Sequence, residues 1–334
     1  MKNKKTLIIF AALAILIILV IGGYFVLKDY FTFNVAKIEN NEEVIIDYAE
    51  SKDNIEKYED QNGDTAYIPK DFQVSAKPDE QTINTGLVVI GPDGSEFVWI
   101  PTTTTRLMHR NFAPSGIWNS SYALSDTPSS NAYYDETDSV EYINMKNSVE
   151  KYGGFYIGRY ETSKSDKDNI PAVKKVTTTS GGRIWTNISP EDMMTVSNNM
   201  YAGNDTVRGF LSYGANFDTV LQWLVDSSAK TEADIRIDST SWGNYSNNTF
   251  TGNVKSGTTG MFEETKANNI YDLAGNYWEW TAERYGDSYV MRSGGYNLMG
   301  GACTGSDFPA ANRDPLPGNN HHPNVSFRIG LYLK

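Results

Sequence analysis

The segment Tyr271-Asp-Leu-Ala-Gly-Asn-Tyr-Trp-Glu-Trp-Thr281 sets two carboxylates, Asp272 and Glu279, among aromatic side chains around a Gly-Asn turn. Carboxylate and main-chain oxygens in so short a loop are hard donors. The same residues could instead tie the loop together by hydrogen bonds while Trp278 and Trp280 fill a core. Soft donors are few. Cys303 is the one cysteine, which excludes an intrachain disulfide and leaves a single thiol. The histidines are His109, His321 and His322. Neighbouring side chains on a strand face opposite ways, so His321 and His322 make a poor chelating pair. Cys303, His321 and His322 fall within residues 297–324, a Gly-, Asn- and Pro-rich stretch whose length without periodicity marks it as a candidate functional loop.

Those side chains need a frame. At 334 residues, with abundant Tyr, Phe, Gly, Asn, Ser and Thr, the chain suits a loop-rich domain better than a helical bundle. Gly86–Ile90 and Ser95–Ile100 flank a Gly-Pro-Asp-Gly turn and predict a hairpin. Gly153–Thr162 predicts another strand. Ser189, with Pro190, Glu191 and Asp192 after it, caps one helix. Phe217, Val220, Leu221 and Leu224 recur at helical spacing and predict a core-facing helix over 216–226. Residues 227–265 are polar and turn-rich, and no internal repeat is present.

The N-terminus reads differently. Thr6–Leu27 carries no charge and is nearly all apolar; at about 1.5 Å per residue it spans roughly 33 Å, enough to cross a bilayer. Lys2, Lys4 and Lys5 precede it, which places residues 1–5 in the cytoplasm and everything after the anchor outside. A cleaved signal peptide is the competing reading, but the run is long and no small-residue cleavage site follows. The expected order is tail 1–5, anchor 6–27, charged stalk 28–67 and domain 68–334. The net charge of −12 argues against nucleic acid or anionic lipid as partner. It is compatible with calcium ligation or with plain solubility.

The aromatic–acid segment, then Arg292-Ser-Gly-Gly-Tyr296, then Ser326-Phe-Arg-Ile-Gly330, form an ordered trio that resembles the formylglycine-generating-enzyme (sulfatase-modifying factor) family. Gly153–Thr162 resembles an early strand segment of that family. The resemblance covers 68–334 and is specific only after Tyr271. It implies an α+β, loop-rich variant of the C-type-lectin fold. It also implies a calcium site built from the side chains of Asp272 and Glu279 and the carbonyls of Gly275 and Tyr277. Catalytic members of the family hold Cu(I) between two cysteines, and the matching positions here are Leu298 and Cys303, so half of that soft-ligand pair is absent. An iron-dependent branch needs a His-x-x-x-His-x-Glu helix, which this chain lacks. Arg292, Arg313 and Arg328 read as structural.

In such folds the loop between the last two motifs forms the binding face, here Tyr296, Asn297, Leu298, Asn312, Asn319, Asn320, His321 and His322. Some members diversify that loop by adenine-directed mutagenesis, which cannot reach Lys, Glu, Gln, Trp or Met; across 297–324 only Met299 falls outside the reachable set. Two functions stay open. One is a membrane-anchored extracytoplasmic protein that binds a protein or glycan. The other is a divergent copper oxidase that converts a substrate cysteine to formylglycine with Cys303 as catalytic ligand.

Overall fold

A computed structural model describes residues 46, 54–107, 125, 127–165, 169–180, 182–248, 250, 257–298, 301–302, 304–317 and 321–334. The chain divides into two compact units, Met1–Val44 and Ile45–Lys334. The first lies outside the described residues, as do the expected tail and anchor. Among the described residues no helix is long and apolar enough to cross a membrane.

β1 (Glu56–Glu59) and β2 (Thr65–Ile68) open the second unit as an antiparallel hairpin. Composition assigns all of these residues but Ile68 to the stalk, yet they belong to the folded domain. Ala66 and Ile68 are buried, Asp60 Oδ2 accepts from Ile83 N at 2.8 Å, and the Tyr58 hydroxyl donates to Gln81 O at 2.7 Å. The charged residues face solvent while alternate positions of β2 face inward, which is the period-two pattern of a half-buried strand.

Along the chain follow β3 (Gln73–Val74), β4 (Val88–Ile90), β5 (Glu96–Pro101), α1 (Thr104–Leu107), β6 (Tyr133–Tyr134), α2 (Val140–Tyr152) and β7 (Gly154–Gly158). Next come β8 (Ser163–Ser165), β9 (Pro171–Ala172), β10 (Gly182–Ile184), α3 (Pro190–Asn199), β11 (Val207–Leu211), α4 (Gly214–Asp226) and α5 (Glu232–Arg236). The C-terminal third holds β12 (Lys266–Ala267), β13 (Ile270–Tyr271), β14 (Trp278–Tyr285), β15 (Ser288–Arg292), β16 (Asn297–Leu298), β17 (Gly301–Ala302), β18 (Arg313–Pro317), β19 (Val325–Phe327) and β20 (Ile329–Leu333).

Two sheets carry the domain. One runs β11-β20-β7-β5-β4-β3; the other runs β18-β15-β14-β19, with β6 also on β14. The expected hairpin is β4–β5, with Val88 opposite Val98. Its second strand is buried on both faces, from Phe97 to Ile100, which is why it reads as a continuous apolar run and not an alternation. The domain is a mixed α+β, loop-rich fold, as expected.

The helices follow their caps. Ser189 Oγ accepts from Asp192 N at 3.1 Å, with Pro190 in the first turn, as the sequence predicts. α2 has no counterpart in the sequence reading. Ser139 caps its start, and Gly153, at φ 74°, closes it by donating its N–H to Val149 O. α4 begins at Gly214, ahead of the expected 216, because the buried Asp135 carboxylate accepts from Gly214 N and Ala215 N, both at 2.9 Å. An anion on the first free N–H groups extends a helix at its positive end.

Two outcomes test this framework. A Cβ on Gly214 would sit 2.4 Å from the Glu283 carboxyl carbon, so Gly214→Ala should lower stability by about 1–3 kcal/mol in denaturant unfolding. The second concerns acid. Burial pushes the Glu80 carboxyl up, but hydrogen bonds from Arg159, Ser75 and Lys77 outweigh it and hold its pKa at about 2, against an ordinary 4.5. The folded value is the lower one, so the stabilisation is complete above pH 4.5 and is lost as pH falls toward 2. Glu80→Gln should therefore be less stable at neutral pH and show a flatter stability profile across that window.

Candidate functional site

The loop between β13 and β14 is built on three residues in the left-handed region: Asp272 at φ 58°, Gly275 at 70° and Asn276 at 63°. Asp and Asn tolerate that region better than most residues. At Gly275 the close approach of the Asn244 backbone demands glycine, because a Cβ there would lie 2.5 Å from Asn244 O. Asn276 N donates to the same carbonyl at 2.8 Å, and Asn244 N donates to Ala274 O at 3.0 Å.

Every carboxylate oxygen of the loop has a donor. Asp272 Oδ1 accepts from Thr265 Oγ1 at 2.7 Å; its Oδ2 accepts from Thr259 Oγ1 at 2.9 Å and Gly260 N at 2.7 Å. Glu279 Oε1 and Oε2 accept from Arg328 Nε at 3.1 and 3.0 Å, and Oε1 from Arg328 Nη2 at 2.5 Å. A third carboxylate, Glu161, accepts from Tyr277 N at 3.0 Å and from Asn276 Nδ2. Burial first, then the nearby Asp272 and Glu279 carboxylates, push the Glu161 carboxyl well above its ordinary range. Trp278 and Trp280 are buried beside these groups.

These residues do not fit the calcium site that the resemblance implies. An ion held by Asp272 and Glu279 would have to displace three neutral donors from the first and a guanidinium from the second, and one loop supplies too few of the six to eight oxygens calcium takes. Among the described residues no group of three or more His, Cys, Asp or Glu side chains is arranged to hold a metal. For copper, Cys303 lies outside the described residues, as does the side chain of Leu298, whose backbone on β16 pairs with Gly301. The sequence holds one thiol, so the chain alone lacks the two-thiolate set.

The expected ligand face separates into parts. Tyr296 stays with the aromatic–acid loop: its N–H donates to Asn276 O at 2.8 Å and its ring meets that of Tyr277 edge-on at 5.3 Å. Asn297 follows it on β16, half-buried. His321 is exposed, with ring Nδ1 3.2 Å from Asn187 O, and the His322 carbonyl accepts from Asn187 N at 3.0 Å. Asn319 and Asn320 lie outside the described residues. Asn312 is a correction. It is 1% exposed, held inside because its carbonyl accepts from Arg292 Nε and Ser293 N, both at 3.1 Å.

Arg292 and Arg313 also belong to a quartet of fully buried charges. Arg292 Nη2 is 2.5 Å from Asp218 Oδ1, and its Nη1 is 3.3 Å from Glu283 Oε2. Arg313 Nε is 3.1 Å from Glu283 Oε1, and its Nη2 pairs with Asp218 Oδ2. The Arg292 guanidinium also packs 4.6 Å from the centroid of the Phe217 ring. The sequence reading of both arginines as structural agrees with this geometry, but it missed the roles of Asp218 and Glu283. A charge inside the Phe217–Leu224 apolar stripe was the available signal. Elsewhere, Pro101, Thr102, Arg106, Thr219, Gln222, Trp223 and Asp226 line a polar cleft of about 250 Å³.

No family model matches the chain, and no curated protein does. Among solved structures it is similar to PvdO from Pseudomonas aeruginosa, at 15% identity and TM-score 0.37 over 55% of this chain and 82% of that one. It is similar to CarF at 16% identity and TM-score 0.38, over 54% and 87% of the two chains. Variable protein 1 of Treponema denticola is similar at 11% identity and TM-score 0.28, over 83% and 98%. No activity follows from likenesses of this size.

Arg313→Met would leave Asp218 and Glu283 sharing one guanidinium in an apolar interior. The expected loss is about 3–5 kcal/mol in equilibrium unfolding, against at most about 1 kcal/mol for Arg236→Met, whose partner Glu232 is an exposed i,i+4 pair.

Proposed function

We propose that this chain is a membrane-anchored, extracytoplasmic binding protein on a scaffold resembling the formylglycine-generating-enzyme family. The observation that carries the reading is where the motif residues go. Glu279, Arg292 and Arg328, charged members of the three motifs, are buried in ion pairs, and Asp272 is buried among neutral donors. The motifs thus serve as framework. The one thiol of the chain, Cys303, cannot supply two soft ligands.

In this reading the ligand is an extracellular protein or glycan. It meets Tyr296, Asn297, Leu298, Asn319, Asn320, His321 and His322, with the stretch 297–324 free to vary except at its buried framework positions, Asn312 and Arg313 among them. Thr6–Leu27 is the single anchor, with the N-terminus cytoplasmic. Function on such scaffolds is set by the site and not by the fold.

The test is chemical. The purified protein is given Cu(I), oxygen and a cysteine peptide of the sulfatase type, with an active two-cysteine enzyme as positive control, and the peptide is weighed. An unchanged peptide supports the binding reading. Conversion of the thiol to an aldehyde, lost in Cys303→Ser, would establish the oxidase instead. On a panel of glycans and surface proteins, Tyr296→Ala should weaken capture by tenfold or more while leaving the melting temperature within a few degrees, since about 1.4 kcal/mol corresponds to a factor of ten.

A further inference from the structure

We propose that the Arg328 guanidinium is the resident cation of the aromatic–acid loop, and that it does without calcium the work of gathering the loop.

Arg328 occupies a singular place. β19 ends at Phe327 in one sheet and β20 begins at Ile329 in the other, so Arg328 is the residue at which the chain crosses between them. It is 1% exposed. Its Nε and Nη2 hold the Glu279 carboxylate of β14, its Nη1 donates to Gly158 O of β7 at 2.9 Å, and Nη2 donates to Tyr271 O of β13 at 3.0 Å.

One carboxylate and two main-chain carbonyls from three strands are the kind of oxygen set that a calcium ion collects. The guanidinium collects them with directed N–H groups in a planar fork, which a spherical ion or an ammonium cannot reproduce. The other expected side-chain ligand, Asp272, belongs to a separate set of neutral donors: Thr259, Gly260 and Thr265. Those donors fasten residues 259–265 to the loop. The two carboxylates therefore anchor two different neighbours and share no ion.

Melting measurements on the wild type and three variants decide the matter. Wild-type protein in excess calcium and in excess EGTA should melt at the same temperature. A calcium-induced rise that is lost in Asp272→Asn would overturn the proposal. A rise that survives in Asp272→Asn would overturn it too, because the amide oxygen of asparagine can still ligate calcium. Arg328→Lys keeps the charge but not the fork, and its melting temperature should drop on the order of 10 °C, as for Arg328→Met. A lysine variant that melts like the wild type would show that charge alone suffices and would overturn the directional role. If neither variant folds, the calcium and EGTA comparison on the wild type and Asp272→Asn still decides between ion and guanidinium.

Discussion

The constraint on which the domain turns is that four charges are closed off from water in one place. Asp218, Glu283, Arg292 and Arg313 have no exposed surface. They come from α4, β14, β15 and β18, so the helix and three strands must meet at one point to within a few tenths of an ångström. Desolvating such groups is tolerable only when each finds its partners. The neighbourhood is fitted to that demand: Gly214 brings α4 against Glu283, Asp135 holds the helix start, and Asn312 turns its carbonyl inward to Arg292.

The second polar centre is separate and does a different task. Around Arg328 the two sheets are sewn together, while the left-handed residues of the aromatic–acid loop are kept in place by Asn244, Glu161 and the threonines. Backbone held in a sparsely populated region persists where its surroundings over-determine it. Here the surroundings are buried hydrogen bonds from segments distant in sequence. Asn276 alone is bound to Glu161, Thr258 and Asn244.

Much of the frame was legible in the sequence. The β4–β5 hairpin, the Ser189 cap and the α4 stripe are local patterns, and local patterns survive folding. Pairings were not legible. Glu279 reads as an oxygen ligand until its partner is known to be Arg328, and nothing in the spacing between them says so. Asn312 reads as surface because Asn in a Gly- and Pro-rich stretch usually is; its burial follows from a carbonyl that Arg292 requires. α2 carries Tyr142, Met145, Val149 and Tyr152 toward the core, a helical stripe that charged neighbours obscure. The β1–β2 hairpin was hidden in the same way by its exposed, charged face.

The order of strands in the larger sheet bears on how the domain is made. β20 lies between β11 and β7, so the strand synthesised after all its sheet partners is the one that joins them. Until it emerges, β7 and β11 each present an open edge, and unpaired edges invite association with other chains. Arg328 arrives with it and bonds to both sheets, through Glu279 and Gly158 O. Completion of this sheet thus waits for β20, with the nascent chain most exposed to mispairing just before that strand is threaded into its slot.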